Sequence, residues 1–527
     1  LKLLIDKFIG MRPIVDSKLL PRNVAVTATN INTDSGALVP LKGNTNVWTP
    51  TKTGTILSIY RYNSSFWFHW PLDVNVLRGP VPDDTLLRTY FTGDGLPQVT
   101  DSSIATGGGT DYPTAAYTLG VPAPANAPTV TLAGSSSDTT EDEDRSYVYT
   151  FVSGWGEEGA PSPPSDVLTG HPTSQTWDLS AMDGVPTGNY NITQKRIYRT
   201  KTTADGTTYY LVGTVDIATT IYSDTTTIVA ATATLQSEDY DMPPSGLIGV
   251  VSMPGGVIAG FAGNRICFSE PYQPHAYPTG YRLTVSETIV GLGVFGNSLL
   301  VLTEDHPYIV SGDDPASMSI QRLEINQSCV SKRGIVDLGE AIAWPSPDGL
   351  MVTSMDGTRN ITEKILSRAQ WQAYNPSELL GAVHDGKYYG FNSTSGFVLD
   401  LRNKAIIDLD FTATAAWNDS LTDTLYLVVS GEIVSYGTGA DKEFTWESPP
   451  MRTPKKTNLG CMQVDAEDYP LTASLYAEGV QKASVLVVDD NTVLLPGGYM
   501  ARDFQVKLVG SVTVNSVTLA RRLSDLR

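Results

Sequence analysis

Apolar residues along the chain come in short alternating runs, separated by Gly, Pro, Asn and Asp, with Thr, Val and Tyr frequent. This pattern predicts strands and tight turns, hence an all-β fold. In TILSIYRYNSSFWFHWPLDV two β-rich runs flank Asn63-Ser64-Ser65 and predict a hairpin. There Phe66, Phe68 and Trp70 point one way, and Trp67 and His69 the other. Burial on both faces would fit a propeller blade; an exposed aromatic face would fit a subunit interface or a sugar platform. The best helical signal is ITEKILSRAQWQAY, residues 361–374, with Asn360 as cap, Glu363 three residues on, and Ile361, Ile365, Leu366 and Ala369 on one face. A second short helix is predicted at NPSELL, capped by Asn375 with Pro376 at its first position.

Four regions separate. Residues 1–125 hold an extended arm and the first propeller strands, and end in a linker rich in Gly, Ala and Pro. Residues 126–240 read as an inserted fibronectin III-like β-sandwich, with Tyr147, Tyr149 and Phe151 alternating along one strand face. Its KRIYRT and TTYYLVGTVD runs are predicted strands joined by Ala204-Asp205-Gly206. Residues 241–445 carry a loose repeat of turn, strand, polar break and strand, starting at 263, 296, 339, 385 and 423. Spacings of about 40 residues with several strands per unit predict propeller blades. Residues 446–527 form a last β unit, in which Phe504, Val506, Leu508, Val512 and Val514 suit one buried face. The predicted fold is therefore a β-propeller-like core with an inserted sandwich and a C-terminal β domain.

Charge narrows the function classes. The chain carries 56 acidic against 36 basic residues, a formal charge of -20. This argues against sequence-specific DNA binding, which needs a basic footprint, but not against DNA passing by. No run of about 18 apolar residues predicts a membrane span, and the opening LKLLIDKFIG is too short and too charged for a signal peptide. Cys267, Cys329 and Cys461 show no C-x-x-C spacing and read as buried small hydrophobes in a reducing compartment. His69, His171, His275, His306 and His384 have no metal spacing, and no cofactor is predicted. EDED at 141–144 reads as a solvated loop tip, with a calcium site as the alternative.

Gly291-Leu-Gly293-Val-Phe-Gly296 matches G-x-G-x-x-G. A pyrophosphate cradle needs a helix after the glycines, whereas NSLLVLTE predicts a strand. The glycines are read instead as turns from one blade into the next, with a sister at Gly263-Asn264. The adjacent acids Asp83-Asp84, Asp313-Asp314 and Asp489-Asp490 read as turn chemistry. No catalytic residue is assigned. Two basic clusters in the terminal unit, Arg452, Lys455 and Lys456, and Arg521, Arg522 and Arg527, are either a solvated face paired with surplus acids or a dock for an acidic neighbour.

The opening FIGMRPIVDSKLLPRNVAVTATNINTDSGALVPLKG resembles the start of tail proteins of short-tailed bacteriophages, through Leu20-Pro21, Ala25, Asn30, Ser35-Gly36, Leu38, Pro40 and Gly43. FVSGWGEEGAPSPPS looks like the sandwich inserted in many such proteins. GLIGVVSMPGGVIAGFAGNRICFSEP and FQVKLVGSVTVNSVTLARRL are similar to parts of tail nozzle, or tubular protein B-like, proteins. The resemblance implies a structural virion protein rather than an enzyme, made in the host bacterial cytoplasm. It implies a distal ring, commonly of six copies, below the portal and adaptor, which offers attachment sites to fibres or spikes and surrounds the channel through which double-stranded DNA leaves. In that setting the arm would brace a neighbour, the propeller would form the wall, and the inserted sandwich would project outward or sit at the tip. The rival expectations are a carbohydrate- or receptor-binding tail module and a glycan hydrolase.

Overall fold

The computed structural model describes residues 1–137, 140–203, 206–226 and 233–526. The Ala204-Asp205 part of the predicted sandwich turn and Arg527 lie outside the described residues. The fold is all-β, and its one α-helix among the described residues is Arg368–Ala373. The chain forms two compact units, one of residues 74–301 and 308–322, the other of residues 1–73, 302–307 and 323–527.

The first unit contains three four-stranded antiparallel sheets. Blade A is Asn75–Arg78, Thr89–Thr92, Gln98–Thr100 and Tyr117–Thr118. Blade B is Ile248–Met253, Val257–Ala262, Arg265–Phe268 and Arg282–Thr284. Blade C is Ile289–Phe295, Ser298–Thr303, Tyr308–Ser311 and Ser319–Arg322. Their first strands stand side by side, the arrangement of propeller blades. Between blades A and B the chain makes the fibronectin III-like sandwich. One of its sheets joins Thr129–Gly134, Gln175–Ser180 and Tyr222–Asp224; the other joins Tyr147–Ser153, Ile192–Thr203 and Gly206–Asp216. Strand Tyr147–Ser153 is buried along its whole length, not on one face only.

The second unit contains blade D (Val336–Asp337, Ala341–Ser346, Gly349–Ser354, Gly357–Asn360) and blade E (Leu380–His384, Lys387–Phe391, Gly396–Asp400, Ala405–Leu409). Blade F (Ala415–Asp419, Thr424–Val429, Glu432–Ser435) takes its fourth strand, Thr45–Trp48, from the N-terminal region. The predicted hairpin is Ser58–Arg61 with Trp67–Trp70, and its first strand lies beside that of blade F. Trp67 to Trp70 are all buried, so this stretch is a core strand and offers no sugar platform. His69 is held inside by the Thr51 backbone N–H, which donates to its Nε2 at 3.2 Å.

Two expectations shift. The turns at 296, 339, 385 and 423 join first to second strands inside blades C, D, E and F, whereas Gly263-Asn264 joins second to third inside blade B. The glycines therefore turn the chain within a blade and not between blades, and the repeat as read started one hairpin out of phase. The helix predicted for 361–374 shortens to Arg368–Ala373. Its cap is Ser367, in a capping box with Gln370, while Asn360 ends the last strand of blade D, paired with Met351. At 376–378 a 3-10 turn replaces the second helix, and Asn375 makes no side-chain cap.

The arm is spent within its own chain. Lys2–Ile5 pairs antiparallel with Val514–Ala520, at the edge of one sheet of the C-terminal sandwich. Thr27–Thr29 pairs with Phe444–Glu447 of the other sheet, and Thr29 also meets Asp408 at the outer strand of blade E. Blade E and the C-terminal domain thereby become one continuous sheet. Phe504, Val506, Leu508 and Val514 are fully buried in this domain, and Val512 is partly buried against the same core.

Asn30 and Leu38, two of the residues that carry the resemblance, sit in this splice. Asn30 takes the left-handed conformation (φ 55°), its N–H donates to Asp408 O at 3.0 Å, and its Nδ2 donates to Glu443 O at 3.1 Å. Leu38 is fully buried and exchanges two backbone hydrogen bonds with Val514, each 2.9 Å. Gly43 packs where a Cβ would lie 3.1 Å from Ala440 O. Asn30→Ala removes the buried side-chain bonds and strains the left-handed backbone, so it is expected to cost about 2–4 kcal/mol. Asn30→Gly, which accepts that backbone, should cost less. The check is the denaturant midpoint of the first unfolding transition in the two variants; equal midpoints would separate the strain from the cost.

Candidate functional site

Each chemical motif in the sequence resolves into local structure. Gly291 and Gly293 lie inside strand Ile289–Phe295, and Gly296 (φ 54°) turns the chain into strand Ser298–Thr303. With a hairpin where a helix would be required, the site lacks the field and the free N–H groups that hold a pyrophosphate. Asp314 accepts from the Ala316 N–H at 2.8 Å and caps a 3-10 turn. Asp489 accepts from the Asn491 N–H at 3.0 Å. In the acidic run Glu143 binds Arg145 at 2.8 Å, and Asp144 accepts from the Thr169 hydroxyl. Among the described residues no cluster of three His, Cys, Asp or Glu side chains could hold a metal ion. All three cysteines are buried, and burial pushes the Cys329 thiol up to about 12.

The most developed polar site lies where the inserted sandwich meets blades A and B. The loop after strand Tyr147–Ser153 brings in Glu157 and Glu158. Glu157 Oε1 accepts from Arg88 Nη1 at 2.8 Å, and Asp84 lies 3.3 Å from Arg88 Nε. The Arg88 guanidinium also stands over the Trp155 ring, whose Nε1 donates to Asp101 at 2.8 Å. His275 Nε2 lies 2.9 Å from Glu158 O, and its Nδ1 lies 4.0 Å from Glu157. The Glu158 carboxylate accepts from Thr150, Arg196 and Tyr198 of the sandwich itself. Burial pushes Glu157 up to about 7 against the pull of Arg88. Burial also pushes His275 down to about 4. Two adjacent glutamates thus face opposite ways, one into the blades and one into the sandwich, and fasten the insertion. The sequence offered only the proline-rich turn GEEGAPSPPS here; the paired Glu between two glycines was the available signal.

A second polar feature lies in the other unit. Arg333 Nη2 donates to Leu57 O at 2.8 Å and to Thr414 O, tying together the entries to the hairpin strand Ser58–Arg61 and the first strand of blade F. Arg333 lines a recess of about 350 Å3 together with Glu378, Leu380, Phe391 and Ser393.

The predicted docking residues fall into two places on the C-terminal sandwich. Arg452, Lys455 and Lys456 are exposed on edge strand Met451–Thr457, which pairs on one side only, with Ala501–Gly510. Arg452 lies 3.8 Å from Asp503. The exposed Glu478 is held below its usual range first by the Arg502 N–H, and also by Lys456 and Arg452. Arg521 and Arg522 are exposed at the end of the other sheet, where the N-terminal ammonium binds Asp525 at 3.0 Å. No contact joins the two groups among the described residues.

No protein-family model matches the chain, and no curated protein does. Solved structures similar to it include the Dos1 propeller, at 10% identity over 76% of this chain and 95% of that one, with a TM-score of 0.31. BBS1N in complex with ARL6DN is similar at 11% identity over 75% and 96%, with a TM-score of 0.30. An exo-beta-1,3-galactanase from Phanerochaete chrysosporium is similar at 9% identity over 64% and 99%, with a TM-score of 0.24. At these scores the likenesses decide neither activity nor partner, and the propeller-like fold rests on the chain's own strand order.

The anchor yields a pH prediction. Between about 4.5 and 7 the folded Glu157 holds more proton than the unfolded chain, so its contribution to stability falls as pH rises. Between about 4 and 6.5 the folded His275 holds less, so its contribution rises with pH. The two slopes oppose and should leave the wild type nearly flat. Glu157→Gln should expose the rising slope and His275→Gln the falling one, each about 1–3 kcal/mol across its window. Thermal melts of the three proteins from pH 4 to pH 7.5 measure this; parallel pH profiles would refute it.

Proposed function

We propose that this chain is a structural protein of a short-tailed bacteriophage virion, the subunit of a ring that closes the tail distally and surrounds the path of outgoing DNA. The observation that carries the reading is the placement of the resemblance. Asn30 and Leu38 bond the N-terminal arm to blade E and the C-terminal sandwich, and Ala25 is buried in the same core. A sequence signature devoted to rigid joining suits a wall more than a pocket.

Charge supports the same reading. At -20 per chain, a ring would repel a sliding duplex and would not retain it. The tail adaptor and the fibres or spikes are the proposed partners, and six is the proposed copy number. A carbohydrate- or receptor-binding tail module is the second reading; it is favoured by the recess beside Arg333, Glu378 and Ser393, which gathers charged and hydroxyl side chains. Saturable binding of host-surface glycan, lost in Arg333→Met, would move the assignment there.

Native mass spectrometry and particle averaging of the purified chain test the ring. The expected result is a closed homo-oligomer, formed alone or on addition of the tail adaptor of the same virus. A monomer that persists under both conditions overturns the proposal.

A further inference from the structure

Arg333 is a cation with spare donors. It sits in the 3-10 turn Lys332–Gly334, and its neighbour Lys332 takes the nearby carboxylate, Asp73, at 3.2 Å. Arg333 is half-buried and forms no salt bridge among the described residues. Its Nη2 is spent on the Leu57 and Thr414 carbonyl oxygens, while its Nε and Nη1 make no hydrogen bond among the described residues. Burial draws the guanidinium below the usual arginine range, and Asp73 offsets this only in part. A desolvated guanidinium is costly unless acceptors face it, and its fork of donors matches a carboxylate.

The rest of the recess narrows the ligand. Hydroxyls on its wall are already committed: Ser331 donates to Leu379 O at 2.7 Å, Ser377 to Asn375 at 3.0 Å and Ser393 to Glu378 at 3.0 Å. Leu57, Leu380, Phe391 and Ala413 supply an apolar part. Glu378 is exposed and forms no salt bridge among the described residues. One guanidinium opposed by one carboxylate suits a singly charged guest and disfavours phosphate or a run of anions.

The recess does not end there. Thr412 and Thr414 also line a second recess of about 750 Å3, with Lys52, Thr55, Phe411 and Ser430, so the two make one groove. Phe411 is half-buried in that wall. Lys442 stands 5.2 Å over its ring and binds Asp410 at 2.6 Å, which neutralises the acid on this side. Hydroxyls, an amine and an aromatic ring suit the hydroxyls and the apolar face of a sugar. Two adjoining recesses suit linked units better than one compact molecule.

We infer that this groove binds an acidic glycan, with the carboxylate of one sugar unit on Arg333 and a neighbouring unit against Phe411. The inference deepens the second reading above and rests on it for the ligand being a glycan; the acidic group is assigned by Arg333 alone.

The test is saturation-transfer NMR and calorimetry on the full chain. The probes are glucuronate, its neutral methyl ester, inorganic phosphate, a glucuronyl-glucose disaccharide and host-surface glycan. Glucuronate should bind about tenfold more tightly than the ester or phosphate, and the disaccharide more tightly than glucuronate. Arg333→Gln should weaken glucuronate about tenfold and leave the ester unchanged. Because Arg333 also ties Leu57 to Thr414, circular dichroism checks its fold, and Glu378→Gln gives an arm that leaves the tie intact. Glu378→Gln should tighten glucuronate about twofold to fivefold without moving the ester. Phe411→Leu keeps the apolar volume and should remove the advantage of the disaccharide. Equal binding of glucuronate and its ester, phosphate binding as tight as glucuronate, or glucuronate binding unchanged in both charge variants overturns the inference. If host-surface glycan binds and glucuronate does not, the inference falls and the glycan-binding reading stands. If neither binds, both fall.

Discussion

The joint between blade E and the C-terminal sandwich depends on a few backbone hydrogen bonds made by the N-terminal arm. Strand Thr27–Thr29 lies between blade E and Phe444–Glu447 and pairs with both. Without it, the outer strand of blade E and the C-terminal sandwich would each present an unpaired edge. Lys2–Ile5 covers a further edge at Val514–Ala520. Phe8 seals the seam from within, fully buried and edge-on to Trp446 at 5.0 Å. The first and last strands of the chain thus hold its middle in place. Such long-range pairing is slow to form, because the loop closure must be made before the contacts repay it.

The inserted sandwich solves a related problem with charge. Asp224 is completely buried and takes a 2.7 Å bond from Arg199 and another from the Tyr147 hydroxyl, with Arg145 3.6 Å away. The Arg145 guanidinium in turn stacks 3.7 Å over Trp177. A buried carboxylate this well satisfied adds little net stability, but removing any one partner leaves an uncompensated charge. The anchor at Glu157 is less complete, with one guanidinium partner and a neighbouring His275 kept neutral by burial. The inside of the insertion is therefore firmer than its attachment.

Strand content, the ~40-residue rhythm, the inserted sandwich and the terminal β unit were legible because alternation is a local property of sequence. What failed was decided by distant residues. Asn360 and Glu363 imitate a capping box, yet pairing with Met351 draws Asn360 into a blade, and the competing box at Ser367 and Gln370 starts the helix. The repeat at 263 matched its sisters in letters, but its place in the blade depends on which strands it joins. The arm read as a brace for a neighbouring subunit because nothing local reveals that Lys2 to Ile5 meets a strand more than 500 residues away. The charge of Arg452, Lys455 and Lys456 was legible, but the edge position of Met451–Thr457 was not, because it depends on pairing with Ala501–Gly510 some 50 residues on. Glu157 was invisible as an anchor because Arg88 and His275 lie far from it in the chain.

The edges of the C-terminal sandwich differ in how they are protected. One edge is covered by the arm, and another carries Lys455, Lys456 and Pro454, which resist strand addition. The edge at Val480–Val487 has no cover, and its outward Leu486 invites contact rather than repelling it. A surplus of twenty negative charges spread evenly would oppose association at every orientation. With screening over about 8 Å, the distant surplus is felt weakly at contact and the local pairs dominate. The position of the charges therefore matters more at any one surface than their sum.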